Sequence, residues 1–396
     1  MAVLHRSSSA APAPHRPSYI WSQPGWPVLT FDQAALTDTL ARARRAQGMV
    51  HGLAQAIGLA HHPEIVRDIW VAEAMATAGI EGETLNLDAV RSSVLRKTGQ
   101  ARGGVSSRHV DGLVDVMDDA TRHFGKKLTH ARLCHWQAAL FPAVFPAVFQ
   151  SGRSGLARIE VGAYRTHTDP MQIVSGRQGK EKVHYVAPPS AKVHAEMTHF
   201  LAWFRDTAPG GNIVIDGVAR AALAHLWFET IHPFEDGNGR LGRALCDLVL
   251  AQDSKAPTRL YSFSRQLLEN RAQYYDELNA AQCGTLDATR WVVWFTSQFE
   301  AACNKSAAII QAAVDKAHFW RAAPKLNERQ RKAVQRLLDA GPGGFVGGMS
   351  AEKYVNLTGA SKATATRDLA DLAEKSILEM SGQGRGTRYA LRGVVP

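Results

Sequence analysis

Cysteine is scarce in this chain: four residues in 396, Cys134, Cys246, Cys283 and Cys303, lie far apart. None forms a CxxC pair or shows metal-ligand spacing, which excludes a disulfide scaffold and a zinc ribbon. Free thiols in a reducing cytoplasm are the expected state. Long apolar runs are also missing. Nothing approaches the roughly 20 residues a membrane span needs, so no membrane partner is expected. Residues 1–17 carry Ser, Ala, Pro, His and Arg without the continuous apolar stretch of a secretory signal, and read as a disordered tail. Acidic residues are in deficit, 36 against 46 Lys and Arg, for a net charge of +10. That balance favours acidic partners such as nucleotides or nucleic acid. Residues 325–396 hold twelve Lys/Arg against seven Asp/Glu, so +5 of the +10 lies there.

What is present is enough apolar sequence, 45% of the residues, for a sizeable core, on a chain long enough for two or three domains. Tyr19-Ile20-Trp21-Ser22-Gln23-Pro24-Gly25-Trp26-Pro27 is too rich in Pro and aromatics for a helix interior and reads as a clasp across a helical surface. Helical spacing then predicts helices over 33–56, 63–78, 86–96, 110–124, 129–141, 193–207, 216–231, 240–252, 266–280 and 287–319. Two short β-patterned runs, 173–176 and 182–186, joined by the polar stretch 177–181, predict a hairpin. A lone hairpin is weakly stable and needs a partner. Ala322-Ala323-Pro324 reads as a hinge. Beyond it come a helix over 327–340, the breaker Gly341-Pro342-Gly343-Gly344, two helices capped by Ser350 and Ser361, and a Gly-rich strand-turn-strand over 380–391. The expected fold is mainly α, with a disordered tail (1–17), an N-terminal helical region (18–109), a central helical domain (110–320), a linker (321–326) and a winged-helix-like domain (327–396).

The chemistry concentrates in His232-Pro233-Phe234-Glu235-Asp236-Gly237-Asn238-Gly239-Arg240-Leu241-Gly242-Arg243. Gly237, Asn238 and Gly239 let successive N–H groups converge on an anion. Leu241, Leu245, Leu248 and Val249 mark a helix starting at those glycines, so its positive end also faces the anion. Arg240 and Arg243 are spaced to fork onto phosphate oxygens. Asp236 suits Mg²⁺, which binds through one or two carboxylates plus substrate phosphates. His232 is a general base suited to neutral pH. A lone His-Pro or Gly-Asn-Gly is a routine turn. The whole set within twelve residues is far more specific.

This segment resembles the signature of Fic-domain proteins, HxFx(D/E)GNGRxxR, at every defined position. The resemblance implies a helical Fic core that transfers AMP from ATP to a Ser, Thr or Tyr hydroxyl of a target protein. By position, His232 would deprotonate the hydroxyl, Asp236 would hold Mg²⁺, Gly237 and Asn238 would cradle the α-phosphate, and Arg240 and Arg243 would engage the outer phosphates. The hairpin is similar to the family's flap, on which an extended target segment adds as a strand, with Val183, His184 and Tyr185 as target-facing candidates. Thr77-Ala78-Gly79-Ile80-Glu81-Gly82 resembles the inhibitory motif (S/T)xxxE(G/N), here N-terminal as in class II members. It implies autoinhibition, with Glu81 paired to Arg243 in place of the γ-phosphate.

Other features read more blandly. His61-His62, His194 and His199 lack ligand partners at useful spacing, and Trp291, Trp294 and Phe295 read as core. In the C-terminal region, Lys362, Thr364, Thr366 and Arg367 would lie on a recognition helix and Arg385 and Arg388 on a wing, suited to DNA phosphates. A protein partner there, self-modification and a homodimer stay open. The rival readings are a nucleotide-sensing DNA-binding regulator and a hydrolase that removes AMP at the same site.

Overall fold

The computed structural model describes residues 19–58, 63–100, 103–105, 107–142, 159–175, 182–256, 259–339, 345 and 347–392. The sequence readings for 1–17, His61-His62, 177–181 and Gly341-Pro342-Gly343-Gly344, and for the Arg385 side chain, lie outside these residues. The chain is mostly helical and forms two compact units, Met1–Ser306 and Ala307–Pro396. The division falls inside a long helix rather than at the Pro324 hinge.

The first unit contains α1 (Gln33–Ala56), α2 (Pro63–Ile80), α3 (Leu87–Lys97), α4 (Arg108–Arg122), α5 (His130–Leu140), β1 (Gln172–Ser175), β2 (Lys182–Val186), α6 (Ser190–Asp206), α7 (Gly217–Ile231), α8 (Asn238–Ser254), α9 (Phe263–Glu269), α10 (Arg271–Gln282) and the start of α11 (Thr289–Ala322). Asp32, Asn86, Thr129, Asp216 and Ser262 cap five of these helices by accepting a first-turn N–H. At the centre lies α7, buried along its whole length, which is why its apolar residues show no single face. It packs against α8, and Arg44 of α1 pins both by bonding Asp216 (2.6 Å) and Asp253 (3.0 Å). Trp291 and Phe295 are core, and Trp294 is almost entirely buried.

One predicted helix, 266–280, is two. The chain breaks at Asn270, whose side-chain amide donates to the Gln266 carbonyl (3.0 Å) and closes α9. Glu73 of α2 holds α9 in place by accepting from Ser262 Oγ (2.8 Å) and the Ser264 N–H (3.0 Å). This buried carboxylate fixes α2 against the core.

The hairpin β1–β2 pairs Ile173 with Tyr185 and Val174 with Val183, so His184 is the extra residue of a bulge. Its anchors come from within the chain. The Tyr185 hydroxyl donates to the Thr230 carbonyl of α7 (2.7 Å), and Trp21 Nε1 donates to the Val186 carbonyl (2.8 Å). Ile20 is fully buried and Trp26 packs edge-on against Trp227, so the Pro-rich N-terminal segment is indeed a clasp. The expectation that the hairpin depends on an outside partner for its stability is corrected by these anchors.

The second unit holds the end of α11, then α12 (Glu328–Leu338), α13 (Ala351–Thr358), α14 (Lys362–Glu374) and the antiparallel pair β3 (Leu378–Ser381) and β4 (Arg388–Leu391). Ser350 and Ser361 cap α13 and α14, and Gly359 makes the turn between them. Asp368 joins the three helices: it accepts from the Tyr354 hydroxyl (2.8 Å), Arg329 Nε (2.9 Å) and Asn327 Nδ2 (3.2 Å). Around it Val334, Leu337, Leu369, Leu372 and Leu378 form a separate core.

Candidate active site

The connection between α7 and α8 carries the sequence-predicted loop. His232 closes α7 in the left-handed region at φ 49°, uncommon for a residue with a Cβ. Gly237, at φ 89°, starts α8, and no side chain caps that end. The first N–H groups of α8 are therefore left for an anion. The side chain of Asn238 turns back instead, accepting from the Phe234 N–H (3.0 Å) and donating to the Phe234 carbonyl (2.8 Å). What Asn238 can offer a phosphate is its backbone N–H. Gly239 lies within the helix, so only Gly237 supplies the bend. A Cβ on Gly239 would sit 2.2 Å from Glu81 Oε1, so this glycine is there to admit a carboxylate.

That carboxylate comes from the end of α2. Arg243, almost fully buried, donates Nη2 to Glu81 Oε1 (2.7 Å) and to the Thr77 carbonyl (2.9 Å), and Nε to the Thr77 hydroxyl (2.7 Å). Burial opposes the charge on Arg243, but the Glu81 carboxylate more than compensates and holds its pKa above the usual value. Gly82, at φ 80°, ends α2 in a Schellman turn, with Gly82 N–H on the Gly79 carbonyl and Glu83 N–H on the Ala78 carbonyl, both 3.0 Å. Thr77 and Glu81 thus meet Arg243, 166 and 162 positions away in sequence, and Gly82 supplies the turn that ends their helix.

Two residues that the sequence reading passed over support His232. Glu229, one turn earlier and buried, places Oε2 3.6 Å from His232 Nδ1. Burial pushes the Glu229 carboxyl up, but His232, His225 and Arg243 outweigh it and bring it below the usual range. The i, i+3 spacing of Glu229 and His232 was the available signal. Arg165 had none, because it approaches from far along the chain. Its guanidinium donates to the carbonyls of His232 (2.8 Å), Ile231 (3.2 Å) and Pro188 (2.5 Å), and to Ser190 Oγ (3.0 Å). The Ile231 and His232 carbonyls are among those α7 leaves unpaired at its end, and the Pro188 carbonyl belongs to the segment before α6. Burial lowers the Arg165 pKa to about 10.

Asp236 stands at the loop's edge, with Oδ1 accepting the Gly237 N–H (2.6 Å) and lying 3.5 Å from Arg240 Nη2. Among the described residues no group of three or more His, Cys, Asp or Glu could hold a metal alone. A single carboxylate beside an anion-binding helix end fits a metal that arrives with phosphates. On the hairpin, Val183 is exposed, but Tyr185 is buried and used as an anchor. Tyr185 is therefore corrected from a target-facing residue to a structural one.

Residues 127–250 match the family model described as Fic/DOC family, and residues 19–99 match one described as a domain of unknown function (DUF4172). The chain is similar to "Protein adenylyltransferase fic-1" of Caenorhabditis elegans, 27% identical over 225 residues, 56% of this chain and 38% of that one. It is also similar to "Protein adenylyltransferase Fic" of Aedes aegypti, 30% identical over 121 residues, 30% of this chain and 22% of that one. The chain thus spans well under half the length of these curated relatives. A crystal structure of a Fic family protein from Desulfovibrio desulfuricans shares the fold, with a TM-score of 0.52 at 20% identity over 93% of this chain and 98% of that one.

Arg165→Ala would leave three carbonyls without their donor, each costing about 1–3 kcal/mol when buried. The expected loss of stability is about 3 kcal/mol or more, read by urea unfolding. A change below about 1 kcal/mol would mean that other donors or water can replace the guanidinium.

Proposed function

The chain carries a Fic domain, and we propose that this domain moves AMP from ATP onto a Ser, Thr or Tyr hydroxyl of a target protein, under restraint by Glu81. The observation that carries the reading is the uncapped start of α8, with His232, Asp236, Arg240 and Arg243 gathered around it. The names of the similar proteins support the same activity.

In this reading the hydroxyl oxygen attacks the α-phosphorus of ATP. A new P–O bond forms, the bond from the α-phosphorus to the bridging oxygen of the β-phosphate breaks, and pyrophosphate leaves. His232 Nε2 takes the hydroxyl proton while Glu229 stabilises the resulting imidazolium through Nδ1. Backbone N–H groups at the start of α8 bind the α-phosphate, and Arg240 and Arg243 bind the outer phosphates. Mg²⁺, held by Asp236 and the phosphates, would neutralise charge on the triphosphate when bound. An extended target segment would add to the hairpin as a strand, beside exposed Val183. Positioning and electrostatics supply most of the rate, as in phosphoryl transfer generally. The same base could direct water to remove AMP. All four cysteines are free, in keeping with a reducing cytoplasm, and no helix among the described residues is long and apolar enough to cross a membrane.

The second unit has the helix order of a winged helix, and we assign it a DNA-binding role. Lys362 and Arg367 are exposed on α14 and have no acidic partner among the described residues. Binding of a random duplex, followed by anisotropy, is expected to weaken steeply as salt rises. No binding at low salt would leave a protein partner as the use of this face.

His232→Ala is expected to bind ATP normally and to lose transfer by about 100-fold or more, measured with ATP labelled on its α-phosphate. Equal rates for mutant and wild type would remove His232 as the base. Reversible nucleotide binding with no covalent label in any variant would favour a sensor over a transferase.

Glu81→Gly is expected to raise self-modification, because Arg243 is freed while the loop is untouched. Arg243→Ala added to it is expected to erase the gain. A folded Glu81→Gly protein no faster than wild type would mean that the pair with Arg243 is structural only.

A further inference from the structure

Glu83, two residues past Glu81, falls outside the inhibitory pattern read from the sequence. The Schellman turn at Gly82 fixes its backbone, and its side chain reaches the other signature arginine. Glu83 Oε2 lies 3.4 Å from Arg240 Nη1, and Glu83 Oε1 lies against His109 Nε2. His109 is itself fixed, since its Nδ1 must donate to the Leu140 carbonyl at 2.9 Å, an atom that only accepts. We propose that Glu83 is a second brake, holding Arg240 from the outer phosphates of ATP as Glu81 holds Arg243.

The two arginines are held differently. Arg243 makes three hydrogen bonds of 2.7–2.9 Å and is satisfied by its partners. Arg240 is nearly as buried, with 5% of its side chain exposed, yet its carboxylate contacts are 3.4 Å to Glu83 and 3.5 Å to Asp236. Its guanidinium sits 5.0 Å from the Phe141 ring centroid, and its Nε–H, buried, has no acceptor among the described residues. A buried guanidinium with long contacts and an unused donor is short of an anion. A phosphate with several oxygens would satisfy it better than one carboxylate oxygen can. Glu83 stands on the route to that outcome. It occupies Nη1, and its negative charge faces the place where the outer phosphates would lie. His109 and Arg240 keep this carboxyl below the usual carboxylate range despite burial, which raises it. Release of Glu81 alone therefore frees one arginine and leaves the other engaged.

This inference rests on the reading of the loop as an ATP phosphate site, so its test reads binding rather than transfer. Calorimetry with ATP compares full-length Glu81→Gly with Glu81→Gly/Glu83→Gln, and with Glu83→Ala in the same background as a check on the substitution. Removing a partly exposed ion pair is expected to tighten ATP binding about two- to five-fold. Adding Arg240→Ala to both proteins should abolish the difference. Equal affinities in proteins that melt alike would overturn the second brake. So would a gain that persists without Arg240, because it would then reflect general charge removal. If Glu81→Gly itself binds no ATP, the phosphate-site reading falls together with this one. Tight binding without covalent transfer would overturn the transferase reading and leave the brake standing.

Discussion

The reversal between α7 and α8 is the constraint on which the rest of the first unit depends. Two helices are buried at the centre of a helical core, and the chain must turn between them within six residues. A buried turn leaves carbonyls at the end of one helix and N–H groups at the start of the next. The molecule treats these two sets differently. Arg165 satisfies the carbonyls of α7, and Asn238 closes the loop on Phe234. The N–H groups of α8 are left uncapped. Uncapped N–H groups at a helix start inside a core are groups that an anion would satisfy.

The contacts made to that loop from upstream follow from how α2 ends. Glu73 rivets α2 to α9, the Tyr275 hydroxyl donates to the Ile80 carbonyl, and Gly82 makes the turn that lets the chain leave. The helix end is thereby rigid, and carboxylates on it are delivered to fixed positions. Gly239 provides the room for one of them. The glycines of the loop and of α2 thus have separate duties: bending at Gly237 and Gly82, and clearance at Gly239.

Much of this was legible in advance. Helical periodicity located the helices because an amphipathic or uniformly buried helix leaves its pattern in sequence. Ser350 and Ser361 marked the starts of two of them as caps. The break at Asn270 was not legible, since the apolar spacing continues through it and a single residue, through its backbone N–H and its side-chain amide, closes α9. The loop itself was readable because seven candidate residues lie within twelve positions. Tyr185 was misplaced because alternation along a strand separates two faces without saying which one meets the core.

The sequence by itself determined the helical class, the loop with its histidine, carboxylate and arginines, and the presence of a Thr-Glu-Gly motif upstream. Each of these is set by residues close together in the chain, where periodicity and spacing carry the information. Tertiary structure alone decided that Glu81 reaches Arg243, that Glu83 reaches both Arg240 and His109, and that Arg165 holds the His232 carbonyl. Those pairings join segments as much as 162 positions apart, and no local pattern encodes them. They arise because burial removes water as an alternative partner, so each charged group must find its counterpart wherever the packing brings one within reach.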